Sequence, residues 1–227
     1  MTNLPTPASK GTPEDPGLAG APRPGSLVPH RTRKRNPATA AAEHSGQFAL
    51  TLSEVQILLE AVTDVRDSAL LTLAIGSGIR REDLVAVKLA DFEPERSVLR
   101  FYESKKRKVR TVILDPKATV ALQRWLGYRG RESQWIFPSD YRFSNPRGHL
   151  SGRAAYNILQ RWLAHVGLPG RPFHSLRATC YKLAKARGWS IELAAAQLGD
   201  TVRVAQEFYG VATPGEISQA MKDRPLL

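Results

Sequence analysis

The chain has 227 residues, 42% of them hydrophobic, so it can bury a sizeable core and is not disordered throughout. Its 33 Lys and Arg residues against 21 Asp and Glu give a net charge of +12, which favours a polyanionic partner, most often nucleic acid. A single cysteine, Cys180, excludes an internal disulfide and a multi-cysteine zinc site, and no apolar run reaches the roughly 18 residues that would span a bilayer.

Residues 1–46 differ in composition from the rest of the chain. They hold half of the 16 prolines and lack Phe, Trp and Tyr, so they cannot bury enough apolar area to offset their chain entropy. We therefore expect a disordered, basic, proline-rich arm before a domain at 47–227. Its "HRTRKR" stretch is either a solvated charge run or a set of DNA phosphate contacts. The basic residues of that stretch are Arg31, Arg33, Lys34 and Arg35.

Most of the domain is predicted to be helical. Thr51 and Glu54 form a capping-box pattern, and apolar residues then recur at helical spacing. A second helix is expected after Asp67 through "SALLTLAIG", and a third through "REDLVAVKL". Further helices are predicted over Lys117–Leu126, Gly152–His165, His174–Arg187, Ile191–Gln197, Val202–Tyr209 and Gly215–Lys222.

Two segments rich in β-branched and aromatic residues interrupt the helices. Val98–Glu103 and Val109–Leu114 flank a polar, basic turn, which predicts a β-hairpin or a small sheet. The expected fold class is therefore mostly α with a small antiparallel β-sheet.

The turn between these strands is a candidate nucleic-acid contact. Lys105, Lys106, Arg107 and Lys108 are consecutive cations that repel one another unless a polyanion lies across them, and Arg110 follows on the return strand. A solvated turn is the alternative, and we favour nucleic-acid contact.

Two further places carry residues suited to anionic oxygens. His174 and Arg177 are three positions apart and share one helix face, where arginine can bind an anion and histidine can move a proton. Arg80 follows a glycine-rich helix stop, and its guanidinium fork matches phosphate oxygens. Asp83 could hold Arg80 in place. Each pattern alone is equally consistent with an ordinary surface residue or salt bridge.

The stretch "LGDTVRVAQEFYG" leaves the role of Tyr209 open. Tyr209 ends a helix before Gly210, and it is either a core aromatic or a nucleophile. Because adjacent helical residues point about 100° apart, Tyr209 faces away from the core if Phe208 faces it.

Together and in this order, five motifs resemble the tyrosine recombinase (phage integrase) family. They are "SGIRREDL", "ESKKRKVRTVIL", "HSLR", "LGD" and "EFYG", spread over Thr51–Ala212. The resemblance implies the tyrosine recombinase catalytic-domain fold. It also implies that Tyr209 attacks the scissile phosphate to form a 3′-phosphotyrosyl bond, that Arg80 and Arg177 clamp the non-bridging oxygens, and that His174 assists proton transfer.

The resemblance extends to three supporting positions. Lys105, with Lys106 as the alternative, would protonate the departing 5′-oxygen, and Asp83 stands where the family usually has a glutamate that supports the first arginine. No metal and no ATP are implied. The family commonly has His or Trp where this chain has Asp200. We count Asp200 among the site residues, although it could instead cap the helix that begins near Thr201 or Val202.

The resemblance finally implies a partner and a setting. The expected function is that of a site-specific recombinase or integrase of a mobile element, acting on double-stranded DNA as a homo-oligomer in a tetrameric synapse, with or without a partner recombinase. We expect a cytoplasmic, nucleoid-associated protein that lacks the usual N-terminal DNA-clamping domain. The alternative is a non-catalytic DNA-binding protein on the same fold. An RNA-binding protein would need clustered stacking aromatics, and Tyr102, Tyr141 and Phe143 are too scattered.

Overall fold

The computed structural model describes residues 45–130, 133–139, 148–210, 212 and 214–224, and these are mainly helical. Residues 1–44 of the predicted arm lie outside the described residues, as do Tyr141 and Phe143; they include Arg31, Arg33, Lys34 and Arg35. The α-helices in the described ranges are α1 (Leu52–Ala61), α2 (Val65–Ser77), α3 (Arg81–Val85), α4 (Pro116–Tyr128), α5 (Gly152–His165), α6 (Ser175–Ala186), α7 (Ile191–Leu198), α8 (Val202–Tyr209) and α9 (Pro214–Asp223).

Side-chain caps explain where several helices begin. Thr51 and Glu54 form the predicted capping box at α1, in which each side chain accepts a hydrogen bond from the other residue's backbone N–H. Ser190 caps α7 and Thr201 caps α8 through their hydroxyl oxygens. These caps satisfy N–H groups that have no partner inside the helix.

The strands β1 (Phe92–Glu93), β2 (Val98–Glu103) and β3 (Lys108–Ile113) form one antiparallel sheet in the order β1-β2-β3. The register pairs Val98 with Ile113 and Glu103 with Lys108, so the basic turn at 104–107 projects from the end of the hairpin. The small antiparallel sheet predicted from the sequence is confirmed, with β1 as an additional short strand.

The second and third helices differ from their predicted bounds, and most other predicted helix ends are displaced by one or two residues. The third helix ends at Val85, because Val87 and Lys88 run extended and pair with residues 134–136 through backbone hydrogen bonds. The second helix begins at Val65, earlier than expected, because Asp64 is its N-cap. Asp67 therefore lies inside the helix, fully buried, where it accepts a hydrogen bond from the indole of Trp162.

The main hydrophobic core surrounds α2. Leu70, Leu71 and Leu73 of this helix are completely buried, and α2 packs against α4 on one side and α6 on another. A helix with so broad an apolar surface must lie at the centre of a domain. The loop after α2 and the end of β2 are therefore held on a rigid support.

A second, smaller cluster joins the last helices. α6, α7 and α8 pack against one another around residues such as Cys180, Ala195 and Ala205. Burial raises the pKa of the Cys180 thiol to about 12, so the thiol stays protonated and inert near neutral pH. Tyr209 belongs to this cluster. Side chains from the second cluster and from the loop after α2 meet at the site described below.

Candidate active site

Arg177 is the central residue of the site, and it is almost completely buried, with 2% of its surface exposed. Its Nε donates to Tyr209 Oη at 3.0 Å and its Nη1 to the carbonyl of Gly78 at 2.5 Å. Its Nη2 donates to the carbonyl of Leu198 at 2.6 Å and to Asp200 Oδ2 at 2.5 Å. A buried guanidinium is tolerated only with such partners. Burial lowers the pKa of Arg177, but Tyr209 and Asp200 outweigh that effect and raise it.

Gly78 makes this arrangement possible. It ends α2 in the left-handed conformation, with φ of 62°, and a Cβ there would collide with Leu198 and crowd Cys180. Glycine at this position therefore lets the C-terminus of α2 approach α6 and α7 closely enough for its carbonyl to reach Arg177.

Tyr209 is buried and nevertheless presents its hydroxyl to the polar site. Only 3% of its surface is exposed, and its ring packs near Tyr181, while Oη lies 3.0 Å from Arg177 Nε and 3.1 Å from His174 Nε2. Phe208 is only partly buried. Phe208 nevertheless packs against the same cluster, so both neighbouring aromatic side chains contact it. Tyr209 combines the two roles that the sequence left open, because its ring is a core aromatic and its hydroxyl belongs to the site.

The electrostatics around Tyr209 make its hydroxyl proton hard to lose without a base. Burial raises the pKa of Tyr209, although the charge of Arg177 opposes this. Burial and the charges of Arg177 and Arg80 lower the pKa of His174 to about 4, so its imidazole is neutral near pH 7. Arg177 can only donate, so Tyr209 accepts from it, and Tyr209 can donate its own proton to His174 Nε2 when the neutral imidazole carries its proton on Nδ1.

Arg80 is held by two carboxylates. It follows α2 at the N-cap position of α3, and its Nη1 donates to Glu103 Oε1 while its Nη2 donates to Asp200 Oδ1 at 3.0 Å. Glu103 is completely buried at the end of β2. It therefore balances the charge of Arg80 from inside the protein.

Glu103 was not predicted as a site residue, although the alternation of β2 contains a signal for it. Phe101 and Glu103 are two apart and share the buried face, whereas Arg100 and Tyr102 are exposed. A carboxylate in an inward strand position next to a basic turn indicates a buried ion pair.

Asp83 does not support Arg80 directly, which corrects the sequence-based expectation. Its Oδ1 accepts from the backbone N–H of Ser104 at 3.1 Å and from the Ser104 hydroxyl at 2.6 Å, and it is buried. Asp83 thus fixes the start of the hairpin turn to α3. Ser104 follows Glu103, which binds Arg80, so Asp83 affects Arg80 only through the position of Glu103.

Asp200 is not the helix cap, because Thr201 performs that role. The side chain of Asp200 bridges Arg80 and Arg177, so it belongs to the site. Burial raises the pKa of Asp200, but Arg177, Arg80 and Lys106 outweigh this and lower it, so the carboxylate is ionised near neutral pH.

Of the two candidate lysines, the structure brings Lys106 into contact with the site. Its Nζ donates to the carbonyl of Gly199 and lies 3.9 Å from both Glu103 Oε1 and Asp200 Oδ1. Lys105 is exposed on the turn, and its charge contributes to the lowered pKa of His174. Both ammonium groups therefore act on the site, one by contact and one at longer range.

The remaining basic residues of the hairpin divide into two kinds. Arg107 and Lys108 are exposed, as expected for groups that could meet a polyanion. Arg110 is half-buried: it donates to the carbonyl of Gln197 and lies over the ring of Phe101, with 5.5 Å between its Cζ and the ring centroid. Burial lowers its pKa. Arg110 thus ties β3 to α7, and it is not free in this arrangement to contact DNA as expected.

The site as a whole is a cationic centre built around a phenol. Its four cations outnumber the carboxylates of Glu103 and Asp200; they are Arg80, Lys106, Arg110 and Arg177. Such an excess of fixed positive charge favours a bound anion with several oxygens. None of the helices in the described part of the chain has the length and apolarity needed to cross a bilayer.

Comparisons with known proteins identify relatives of this chain. Tyrosine recombinase XerA of Pyrococcus horikoshii is 25% identical over 179 residues, which cover 79% of this chain and 62% of that protein. Tyrosine recombinase XerC of Actinobacillus pleuropneumoniae is 32% identical over 140 residues, covering 61% of this chain and 42% of that protein. The chain thus spans about two fifths to three fifths of the length of these relatives.

Solved structures show the same fold. The crystal structure of XerA recombinase has a TM-score of 0.67 at 21% identity, covering 79% of this chain and 66% of that one. The XerH site-specific recombinase bound to its difH substrate has a TM-score of 0.61 at 19% identity, covering 77% and 53%. Residues 49–201 match the phage integrase family, and Tyr209 lies just beyond that range. Since this match extends over more than half of the sequence, the chain belongs to the phage integrase family.

Proposed function

We propose that the chain is the catalytic part of a site-specific DNA recombinase that cleaves and rejoins DNA through a phosphotyrosyl bond at Tyr209. The observation that carries this proposal is the position of Tyr209 Oη, within 3.0 Å of Arg177 Nε and 3.1 Å of His174 Nε2. A phenol placed between a fixed cation and a neutral base has what it needs to become a nucleophile.

In the proposed cleavage step, Tyr209 Oη attacks the scissile phosphorus and the bond from phosphorus to the 5′-oxygen breaks. The phenolic proton passes to neutral His174, whose pKa rises once the phosphate charge offsets Arg177 and Arg80. The departing 5′-oxygen takes a proton from Lys105, with Lys106 as the alternative donor. The phosphotyrosyl ester retains the energy of the broken bond. Rejoining is therefore the reverse reaction, in which a new 5′-hydroxyl attacks the phosphorus and Tyr209 leaves.

Arg80 and Arg177 are proposed to stabilise the transition state. Negative charge gathers on the non-bridging oxygens as the fifth bond to phosphorus forms. Fixed donors aimed at those oxygens need no reorganisation, and the loss of one such donor typically costs about 3 kcal/mol of activation free energy. The buried carboxylate of Glu103 holds Arg80 in place for this purpose.

The partner is proposed to be double-stranded DNA. The net charge of +12 and the exposed turn residues Arg107 and Lys108 support this choice, and XerH is a relative in fold that was solved on its DNA substrate. Exchange between two duplexes cuts four strands with one tyrosine each, so we propose that four protomers, or two pairs with a partner recombinase, act together. Such a role places the protein on the nucleoid.

Covalent trapping tests the proposed function. The protein is incubated with nicked suicide duplexes that carry candidate sites from the DNA flanking its gene, and protein–DNA bands that survive denaturant are measured. We expect a band from the wild type, no band from Tyr209→Phe, and a normal band from Tyr181→Phe. Tyr181 is the matched control because it is a buried tyrosine of the same cluster, 6.0 Å from Tyr209 between ring centroids. A band that persists in Tyr209→Phe, or DNA binding without any band, would overturn the proposal.

A further inference from the structure

The carboxylate of Asp200 occupies the place where two arginines converge. Its Oδ2 lies 2.5 Å from Arg177 Nη2, its Oδ1 lies 3.0 Å from Arg80 Nη2, and Lys106 Nζ is 3.9 Å from Oδ1. Each oxygen of this carboxylate is thus bound by a different guanidinium. The two non-bridging oxygens of a phosphodiester would be bound in the same way. Asp200 therefore fills an anion site from within the chain.

The donor count of Arg177 shows that the site cannot hold both anions. Of its five N–H groups, one goes to Tyr209, one to Gly78 and two, on Nη2, to Leu198 and Asp200. At most one N–H remains for a phosphate while this arrangement persists. A phosphate placed beside an ionised carboxylate would in addition be repelled, strongly so in a buried site.

The carboxylate can leave without dismantling the site. Arg177 would keep its bonds to Tyr209 and to the carbonyls of Gly78 and Leu198, and Arg80 would keep Glu103. The backbone of Asp200 is fixed, since its N–H donates to the carbonyl of Ala195 at 3.0 Å. Rotation of the Asp200 side chain would free donors on Arg177 and Arg80 while these bonds stay in place.

We propose that Asp200 is an internal competitor for the scissile phosphate, whose carboxylate fills the site between Arg80 and Arg177 in the DNA-free protein and must rotate away before a phosphodiester is bound. This inference rests on the proposed function for the identity of the natural ligand. Its consequence is a threshold in DNA affinity for cleavage, because only DNA that makes enough other contacts can displace the carboxylate. Weakly bound DNA is then not cleaved by Tyr209.

Sulfate binding tests the inference without relying on activity. Inorganic sulfate, a tetrahedral anion, is titrated into wild type, Asp200→Asn and Glu207→Gln by calorimetry, with chloride adjusted to hold the ionic strength constant. Glu207 is an exposed residue of α8, so its change raises the net charge equally without touching the site. We expect at least tenfold tighter, saturable sulfate binding for Asp200→Asn, and equal, weak binding for the other two proteins.

Sulfate affinity that is the same in all three proteins would overturn the inference. Asp200→Ser serves as a second neutral variant if Asp200→Asn does not fold. The trapping assay run on Asp200→Asn with and without Tyr209→Phe keeps the two proposals apart. Tight sulfate binding without any Tyr209-dependent band would leave the competitor role of Asp200 standing and reject the recombinase function.

Discussion

At the scale of single residues, the site depends on His174 staying neutral between cations. Burial and the charges of Arg177 and Arg80 lower its pKa from the usual 6.5 to about 4. The unfolded chain therefore binds the proton more readily than the folded one. A group with a lowered folded-state pKa contributes full stability above its unfolded pKa, here above pH 6.5. That contribution decreases as the pH falls from 6.5 towards about 4.

We expect this decrease to be measurable with His174→Gln. The free energy of unfolding in urea, compared between about pH 7.5 and about pH 4.5, should fall more for wild type than for the variant, by roughly 2 kcal/mol, since each pKa unit corresponds to about 1.4 kcal/mol. His165→Gln, at an exposed position of α5, is the control and should show the wild-type fall. An equal fall in His174→Gln would show that His174 is not held neutral.

The residues proposed to carry chemistry could be recognised in the sequence, but their partners could not. Tyr209, Arg177 and Arg80 stand in motifs whose order is visible along the chain. The bridge through Asp200 joins positions 120 residues apart, and Glu103 reaches Arg80 only through the register of β2. Local patterns show which side chains are charged, and only the tertiary fold decides which charges meet.

At the scale of secondary-structure elements, the junction between α7 and α8 positions both Asp200 and Lys106. Gly199 ends α7 with φ of 66°, and its carbonyl accepts from Lys106. A Cβ at this position would lie 2.5 to 2.8 Å from three atoms of the Arg110 guanidinium group. Glycine is therefore favoured by the backbone conformation, and a Cβ would in addition displace the end of the Arg110 side chain.

Gly199→Ala should destabilise the protein more than a left-handed backbone alone can explain. We expect a decrease of at least about 2 kcal/mol in the free energy of unfolding, because strain at positive φ adds to the displacement of Arg110. Gly188→Ala is the matched control, since Gly188 has φ of 84° and nothing within 4 Å of its Cβ position, and its free energy of unfolding should fall by about 1 kcal/mol. Equal decreases in urea denaturation would show that the approach of Arg110 is immaterial.

The element boundaries show how far local patterns extend. The capping box at Thr51 and the strands β2 and β3 were predicted because caps and alternation are local signals. The third helix was extended too far, because its last residues are drawn into an extended pairing with residues 134–136, which are distant in the sequence. Apolar spacing alone could not distinguish Val87 in that pairing from Val87 in a helix.

At the scale of the described molecule, the site lies where the main hydrophobic core meets the second cluster. The loop after α2 and the end of β2 belong to the main core and supply Arg80 and Glu103. α6 and α8 enclose the second cluster and supply Arg177 and Tyr209. The hydrogen bonds of Arg177 and the Asp200 bridge therefore connect the phenol to the anion site. They also join the main core to the second cluster.

The exposed end of the hairpin should dominate the salt dependence of DNA binding. Lys105, Arg107 and Lys108 are exposed, while Lys106 and Arg110 are held by backbone carbonyls. Removing one cation that pairs with a DNA phosphate should reduce the slope of log K against log salt concentration by about 0.9. The triple alanine variant of the three exposed residues should therefore bind duplex DNA more weakly, with a slope smaller by up to about 3, in a fluorescence anisotropy titration at several salt concentrations.

The matched control removes the same amount of charge elsewhere on the molecule. Lys117, Arg124 and Arg187 are exposed and border a groove of apolar residues between α1, α4 and α6, of about 1050 Å³, away from the hairpin turn. If the whole positive surface attracted DNA equally, both triple alanine variants would show the same decrease in affinity and in slope, and the turn would have no special role. A decrease confined to the turn variant would place the DNA backbone across the end of the hairpin, next to Lys106 and the anion site that Asp200 fills, and so would link the grip on the duplex to the chemistry at Tyr209.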